Sequence, residues 1–212
     1  MKRPRVLLAD DHKIVTEGLK GLLEPEFELV GTVEDGRALL AAAEKLRPDV
    51  IVADISMPLL NGIDSVRQIK KAHGEIKVVF LTMHPDVTYA VSAFEAGASG
   101  YVLKHSAPTE LVTAIRSALN GKTFVTPLLA GEFMQLTKER TSQRDEFTSL
   151  TPRQREILQL LAEGHSAKEI ATVLNISSRT VEFHKYRIMK DLGIKSAAEL
   201  VHYAVRHGII TK

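Results

Sequence analysis

The chain has 212 residues, 44% of them hydrophobic, no cysteine and a formal net charge of +2. Its length allows one large or two small domains, and the missing cysteines exclude disulfides, thiolate zinc sites and cysteine nucleophiles. No stretch approaches the ~20 apolar residues of a membrane-spanning helix. Met1-Lys2-Arg3-Pro4 runs into an apolar strand without a signal peptide's apolar region, so a cytoplasmic protein with no membrane partner is expected. The charge is unevenly divided. Residues 1–147 carry 18 Lys+Arg against 20 Asp+Glu, and residues 148–212 carry 10 against 6, which points to an anionic partner for the C-terminal part.

In chain order, strands are expected at Val6–Ala9, Leu29–Thr32, Val50–Ala53, Lys77–Leu81 and Gly100–Leu103. Helices are expected at Lys13–Leu23, Gly36–Leu46, Gly62–Ala72, Val87–Ala96 and Pro108–Asn120. Strands that are apolar throughout are buried on both faces, as in a parallel sheet covered by helices. The alternation predicts an α/β fold: a flavodoxin-like (βα)5 unit with a five-stranded parallel sheet in the order 2-1-3-4-5. Its ligand crevice lies beyond the carboxyl ends of strands one and three.

That crevice is where the chemistry-bearing residues fall. Asp10 and Asp11 follow the first strand and Asp54 the third. Three clustered carboxylates repel one another and need a cation, and oxygen-only ligation with positions left to water suits Mg²⁺. Asp11 has a second reading, as the cap of the helix starting at Lys13. Thr82 and Lys104 stand at two further strand ends and add a hydroxyl and an ammonium. A carboxylate nucleophile, a divalent cation, a hydroxyl and a lysine are what a phosphoryl group requires. A haloacid-dehalogenase-like phosphatase would need a second Asp two residues after the nucleophile, where Ser56 stands. No glycine-rich phosphate turn follows the first strand. Met83 would either shield the site or pack, and His84 either relay a proton or sit exposed in its loop.

Asp10, Asp11, Asp54, Thr82, Tyr101 and Lys104, with Met57-Pro58 and Gly62, resemble the receiver domain of a two-component response regulator. The resemblance assigns residues 1–121 to that domain. It implies that Asp54 accepts a phosphoryl group from the phosphohistidine of a sensor histidine kinase. It further implies that Asp10, Asp11, Asp54 and the Ser56 backbone carbonyl hold Mg²⁺, that Lys104 and Thr82 grip the phosphoryl oxygens, and that Tyr101 changes rotamer with Thr82. Such a protein is a phosphoacceptor and no enzyme, beyond slow Mg²⁺-dependent self-phosphorylation from small donors and autodephosphorylation. His105 stands where the family commonly has a cis proline, which leaves the Lys104–His105 peptide open.

From 122 to 147 the periodicity weakens and a linker is expected, with one short helix around Leu128–Leu136 before the polar run Lys138–Glu146. Residues 148–212 are expected to form an all-α domain of four helices, Pro152–Glu163, Ala167–Leu174, Ser178–Leu192 and Ala197–Arg206. Thr151/Gln154, Ser166/Glu169 and Ser196/Glu199 have capping-box spacing, and Gly164, Gly193 and Gly208 suit the stops. Asn175-Ile176-Ser177 is a tight turn, giving a helix-turn-helix. On the third helix, Val181, His184, Ile188 and Leu192 form the inward stripe, leaving Arg179, Glu182, Phe183, Tyr186 and Lys190 outward. Arg179, Thr180 and Lys190 suit DNA phosphates, Glu182 a cytosine amine and Phe183 a thymine methyl, while Lys168 and Tyr186 complete the DNA-facing set.

Leu150-Thr151-Pro152-Arg153-Gln154-Arg155-Glu156-Ile157-Leu158, Gly164-His165-Ser166, Lys168-Glu169-Ile170-Ala171 and Thr180-Val181-Glu182-Phe183-His184 resemble the LuxR-type helix-turn-helix. A receiver followed by this domain resembles the NarL/FixJ class of response regulators. The class implies double-stranded promoter DNA as a partner, a homodimer formed on phosphorylation and half-sites about one DNA turn apart. Ala167 and Glu182 depart from its commonest residues, asparagine and lysine. Val201, Ala204 and Val205 on the last helix are either dimer contacts or core.

Overall fold

The structure, a computed structural model, describes residues 3–140 and 150–210. Two compact units form, divided chiefly within the stretch from 141 to 149. Most of the polar run Lys138–Glu146, the expected domain start at 148 and the expected end at 212 lie outside the described residues.

The first unit alternates β1 (Arg5–Ala9), α1 (Lys13–Leu23), β2 (Glu28–Val33), α2 (Gly36–Leu46), β3 (Val50–Ala53), α3 (Gly62–Ala72), β4 (Lys77–Thr82), α4 (Val87–Glu95) and β5 (Gly100–Leu103). A single 3₁₀ turn, Lys104–Ser106, leads into α5 (Ala107–Leu119), followed by β6 (Phe124–Val125) and α6 (Pro127–Arg140). The strands pair in parallel in the order β2-β1-β3-β4-β5-β6.

Successive strand side chains point to opposite faces, and both faces are apolar here. Leu7, Ile51, Phe80 and Tyr101 pack with Leu39 of α2, Val66 of α3 and Ala90 of α4. Leu8, Val52, Leu81 and Val102 pack with Leu19 of α1 and Leu111 of α5. Every residue of β3 is buried, which is why the strand reads as one apolar run.

The sheet has six strands where five were expected. Phe124 and Val125 extend it through Gly100↔Phe124 and Tyr101↔Val125. The expected linker is therefore structured as far as Arg140, and its helix is longer than the one expected around Leu128–Leu136. Leu129 is buried in the Tyr101 layer and the Phe133 ring rests 4.9 Å from that of Phe94 on α4. Burial of these side chains against the sheet unit removes them from a solvated tether.

The second unit is α7 (Pro152–Ala162), α8 (Ala167–Leu174), α9 (Ser178–Asp191) and α10 (Ala197–Arg206) around Ile157, Leu160, Ile170, Val181, Ile188 and Leu200. Thr151/Gln154 and Ser166/Glu169 form reciprocal capping boxes. At α10 the box is incomplete. Ser196 accepts from the Glu199 N–H, while the Glu199 carboxylate takes the N–H of Lys195 instead. Ser177 caps α9 by accepting from the Thr180 N–H. Asn175, at φ +51°, ends α8 in the left-handed conformation that a short polar side chain tolerates. The α8–α9 pair is thus a helix-turn-helix.

Candidate functional site

Four strand ends build the site. The pairing Ala9↔Ala53 sets Asp10 beside Asp54, and Thr82↔Leu103 brings Lys104 to the end of the strand next to Thr82. Asp10 and Asp54 are each 4% exposed. The Lys104 ammonium donates to Asp54 Oδ2 at 2.7 Å and stands 2.7 Å from Asp10 Oδ2. Asp54 Oδ1 accepts from the backbone N–H groups of Ile55 at 2.6 Å and Ser56 at 3.3 Å.

Burial raises the Asp54 carboxyl above the ordinary aspartate range against the pull of Lys104. Burial opposes the charge on Lys104, yet Asp54 and Asp10 together hold its pKa above the usual lysine value. Gly62 lies against the backbone here. A Cβ on it would collide with the Asp54 carbonyl oxygen, so only glycine lets α3 start beneath the site.

Ligand atoms of Asp10, Asp11, His12 and Asp54 lie within 4.8 Å of one another. Asp11 Oδ1 is buried with no hydrogen bond, although His12 Nδ1 stands 2.8 Å away in ion-pair range. An orphaned carboxylate oxygen beside two further buried acids fits a hard cation. Asp11 does not cap α1. The N-cap position is His12, which makes no side-chain cap bond, and the His12 N–H donates to Asp10 Oδ1 at 2.9 Å. His12 is a member that sequence reasoning missed, its only signal being adjacency to Asp11.

Thr82 and Tyr101 are buried at the same edge. Tyr101 is already turned inward, its hydroxyl donating to the His84 carbonyl at 2.8 Å, and burial pushes its pKa well above the ordinary phenol value. The His84 N–H donates to Thr82 Oγ1 at 3.3 Å. The His84 Nε2 and Ser56 Oγ are hydrogen-bonded at 2.8 Å, and its ring stacks on Tyr89 with centroids 4.3 Å apart. His84 is thus half-buried within the site, contrary to the exposed-loop reading, and burial lowers its pKa. Met83 is exposed, which corrects its reading as a packing residue. The Lys104–His105 peptide is trans.

In the second unit, α9 presents Arg179, Glu182, Phe183, Tyr186 and Lys190 to solvent, and Lys168 of α8 is exposed as well. Phe183 is 58% and Tyr186 69% exposed, unusual for aromatic rings set among cations. Thr180 is half-buried, its hydroxyl 2.8 Å from that of Ser177. Arg187 is a further exposed cation on α9 that the stripe reasoning passed over. Val181 and Ile188 point inward, with His184 and Leu192 half-buried beside them. On α10, Ala204 is fully buried in the helical core, so it is removed from the candidate dimer contacts, while Val201 is exposed and Val205 half-buried.

No helix among the described residues is long and apolar enough to cross a membrane. Residues 6–116 match the response regulator receiver domain, and residues 148–204 the bacterial regulatory proteins of the luxR family. The chain is 39% identical over 210 residues to the transcriptional regulatory protein MctR of Rhizobium johnstonii, covering 98% of this chain and 96% of that one. It is 37% identical over 215 residues to the oxygen regulatory protein NreC of Staphylococcus epidermidis, covering 97% and 99%. Among solved structures it resembles RcsB from Salmonella enterica serovar Typhimurium bound to promoter rprA in the presence of the phosphomimetic BeF3⁻. That likeness has a TM-score of 0.57 at 31% identity, over 95% of this chain and 98% of that one. A receiver whose acid–lysine crevice is complete, joined to a LuxR-type helix-turn-helix, places this chain in the NarL/FixJ class of two-component response regulators.

Proposed function

We propose that Asp54 is the phosphoacceptor of a switch that controls promoter binding. The observation that carries this reading is the Lys104 ammonium, held 2.7 Å from both Asp54 and Asp10 at the crevice. In the transfer, an Asp54 oxygen attacks the phosphorus of a sensor kinase's phosphohistidine, the P–N bond breaks, and its electron pair leaves with the imidazole. Asp10, Asp11, Asp54 and the Ser56 carbonyl would hold Mg²⁺, which supplies neutralisation of the phosphoryl oxygens when bound. Lys104 and Thr82 then take those oxygens. The aspartyl phosphate is also formed slowly from small donors and lost slowly by hydrolysis, so the protein is a switch with a lifetime.

The inward Tyr101 matches the rotamer ascribed to the phosphorylated family member. Phosphorylation then acts by deepening an arrangement the chain already adopts. The reading extends to a receiver at residues 1–121 with β6 and α6 appended at the start of the 122–147 segment, a DNA-binding domain at 148–212, and a cytoplasmic location. In the output, α9 enters the major groove, with Arg179, Thr180, Lys190 and Lys168 on phosphates and Glu182, Phe183 and Tyr186 toward bases. Two copies pair on phosphorylation, with Val201 and Val205 as candidate contacts. The RcsB complex with promoter DNA and a phosphomimetic supports this output.

The test is sedimentation velocity with Mg²⁺, with and without beryllofluoride, alongside Asp54→Ala. A dimer that forms only with the mimic and only in the parent protein is expected. A beryllofluoride-independent association state in the parent refutes phosphorylation-driven pairing.

A further inference from the structure

Thr126 joins β6 to α6 and is 1% exposed. A hydroxyl buried this deeply needs partners. It accepts from the Leu103 N–H at 3.1 Å and donates to Glu110 Oε2 in the first turn of α5 at 2.7 Å. The Thr126 backbone is engaged as well. Its N–H donates to the Tyr101 carbonyl at 2.9 Å and its carbonyl accepts from the Leu129 N–H at 2.9 Å. One residue therefore ties together the last peptide of β5 before Lys104, the start of α5 and the first turn of α6. Valine has nearly the same volume and suits a strand end equally well, but it would strand a buried N–H and a carboxylate.

The far side of α6 leads back to the same site. Phe133 rests on Phe94 of α4. The loop that opens α4 contains His84, whose carbonyl receives the Tyr101 hydroxyl. The Thr126 attachment of α6 thus reaches the residue before Lys104, and the Phe133 attachment reaches the last turn of the helix whose opening loop receives the Tyr101 hydroxyl. Among the described residues, α6 is the last helix in chain order before the LuxR-type domain.

We propose that Thr126, with Glu110 as its acceptor, is a positioning residue that couples the phosphoryl-contacting end of β5 to α6. It rests on the reading of Asp54 as phosphoacceptor. When Lys104 is drawn to a phosphoryl group, the Val102–Leu103 peptide at the end of β5 moves with it. The bond from the Leu103 N–H to the Thr126 hydroxyl passes that movement to the root of α6 instead of letting a loop absorb it. Coupling of this kind needs one element with two arrangements that both sites bias, and α6 is that element.

The test uses the full chain, which has no tryptophan. Phe133→Trp places a single, selectively excited tryptophan on the α6–α4 seat, and labelling by acetyl phosphate reads Asp54 independently. In the Phe133→Trp protein, Mg²⁺ with beryllofluoride is expected to shift the emission. Adding Thr126→Val abolishes the shift while acetyl phosphate still labels Asp54, and Thr126→Ser, which keeps the hydroxyl, restores it. Glu110→Leu removes the acceptor from a different helix and must lose the shift too, which keeps the proposal testable should Thr126→Val fail to fold. A shift that survives Thr126→Val or Glu110→Leu overturns the coupling alone, as does a labelled Phe133→Trp protein with no shift. Failure of the parent protein to take label overturns the reading of Asp54 and the coupling with it.

Discussion

Replacing Lys104 with methionine isolates the charge at the centre of the site. Methionine keeps the unbranched stem but removes the ammonium that stands 2.7 Å from each of two carboxylates. Asp10 and Asp54 are both buried, so the variant leaves two acids facing each other without a counter-charge. Breaking a buried ion pair by deleting one partner costs about 3–5 kcal/mol. At 1.4 kcal/mol per factor of ten, the lower figure corresponds to roughly 100-fold faster opening of the neighbouring strands. Hydrogen exchange of the Val50–Ala53 amides, corrected for intrinsic rates, measures it directly.

Two conditions should reverse the effect. Mg²⁺ replaces the lost cation and must slow exchange more in Lys104→Met than in the parent. Lowering the pH must do the same. Burial already holds the Asp54 carboxyl above the ordinary range, and the substitution removes the group that opposed this shift. A group whose folded pKa lies above its unfolded value binds more protons when folded, so stability rises as pH falls through the folded pKa. Exchange at the parent's rate, or an acceleration that neither Mg²⁺ nor acid relieves, refutes the assignment of these acids to one buried, cation-dependent cluster.

Gly62→Ala drives a methyl into the Asp54 carbonyl; acetyl phosphate labelling should be lost while the helical second unit keeps its melting transition, which circular dichroism on the full chain resolves. Arg179→Ala should weaken binding to specific and non-specific duplex alike and reduce the slope of log K against log salt by about 1, the signature of one lost phosphate contact. An unchanged slope in a fluorescence anisotropy titration would remove Arg179 from the interface. Glu169 and Glu199 lie below the ordinary glutamate range because each accepts hydrogen bonds at its helix start, chiefly from Ser166 and from the Lys195 backbone respectively. Their contribution is present above the unfolded carboxylate pKa and is lost as pH falls through the lowered folded one. Melting of the second unit across that window should flatten in Glu169→Gln.

The strands and helices around the crevice were legible because each is long enough for its period to show. The ranges of α1, α2 and α3 agree residue for residue with those read from the apolar spacing. Two elements were not legible, for physical reasons. β6 is two residues long, too short for any alternation. In α6, Leu128, Leu129, Phe133 and Met134 do not share one stripe. Leu129 is buried while Leu128 and Met134 remain exposed, so the helix carries little amphipathic signal. On α10, Val201, Ala204 and Val205 follow one another at helical spacing, and only the direction of the core separates buried Ala204 from exposed Val201. The acid cluster was legible as Asp10, Asp11 and Asp54 because strand ends in a parallel sheet converge at one edge.

His84 shows what local pattern cannot supply. Its partners Ser56, Tyr89 and Tyr101 come from the β3–α3 loop, from α4 and from β5, and none of those distances is encoded in the spacing around residue 84. Each partner holds a different part of the residue: the ring edge, the ring face and the carbonyl. The backbone N–H completes the set on Thr82. Thr82 and Tyr101 therefore need not touch for a change at one to reach the other, because the two groups of the His84 main chain connect them. The side chain fixes where that main chain lies by anchoring it to Ser56, two residues from Asp54. A histidine that sequence alone places in a loop becomes, once the sheet is closed, the piece through which the Thr82 hydroxyl and the Tyr101 ring share one backbone segment.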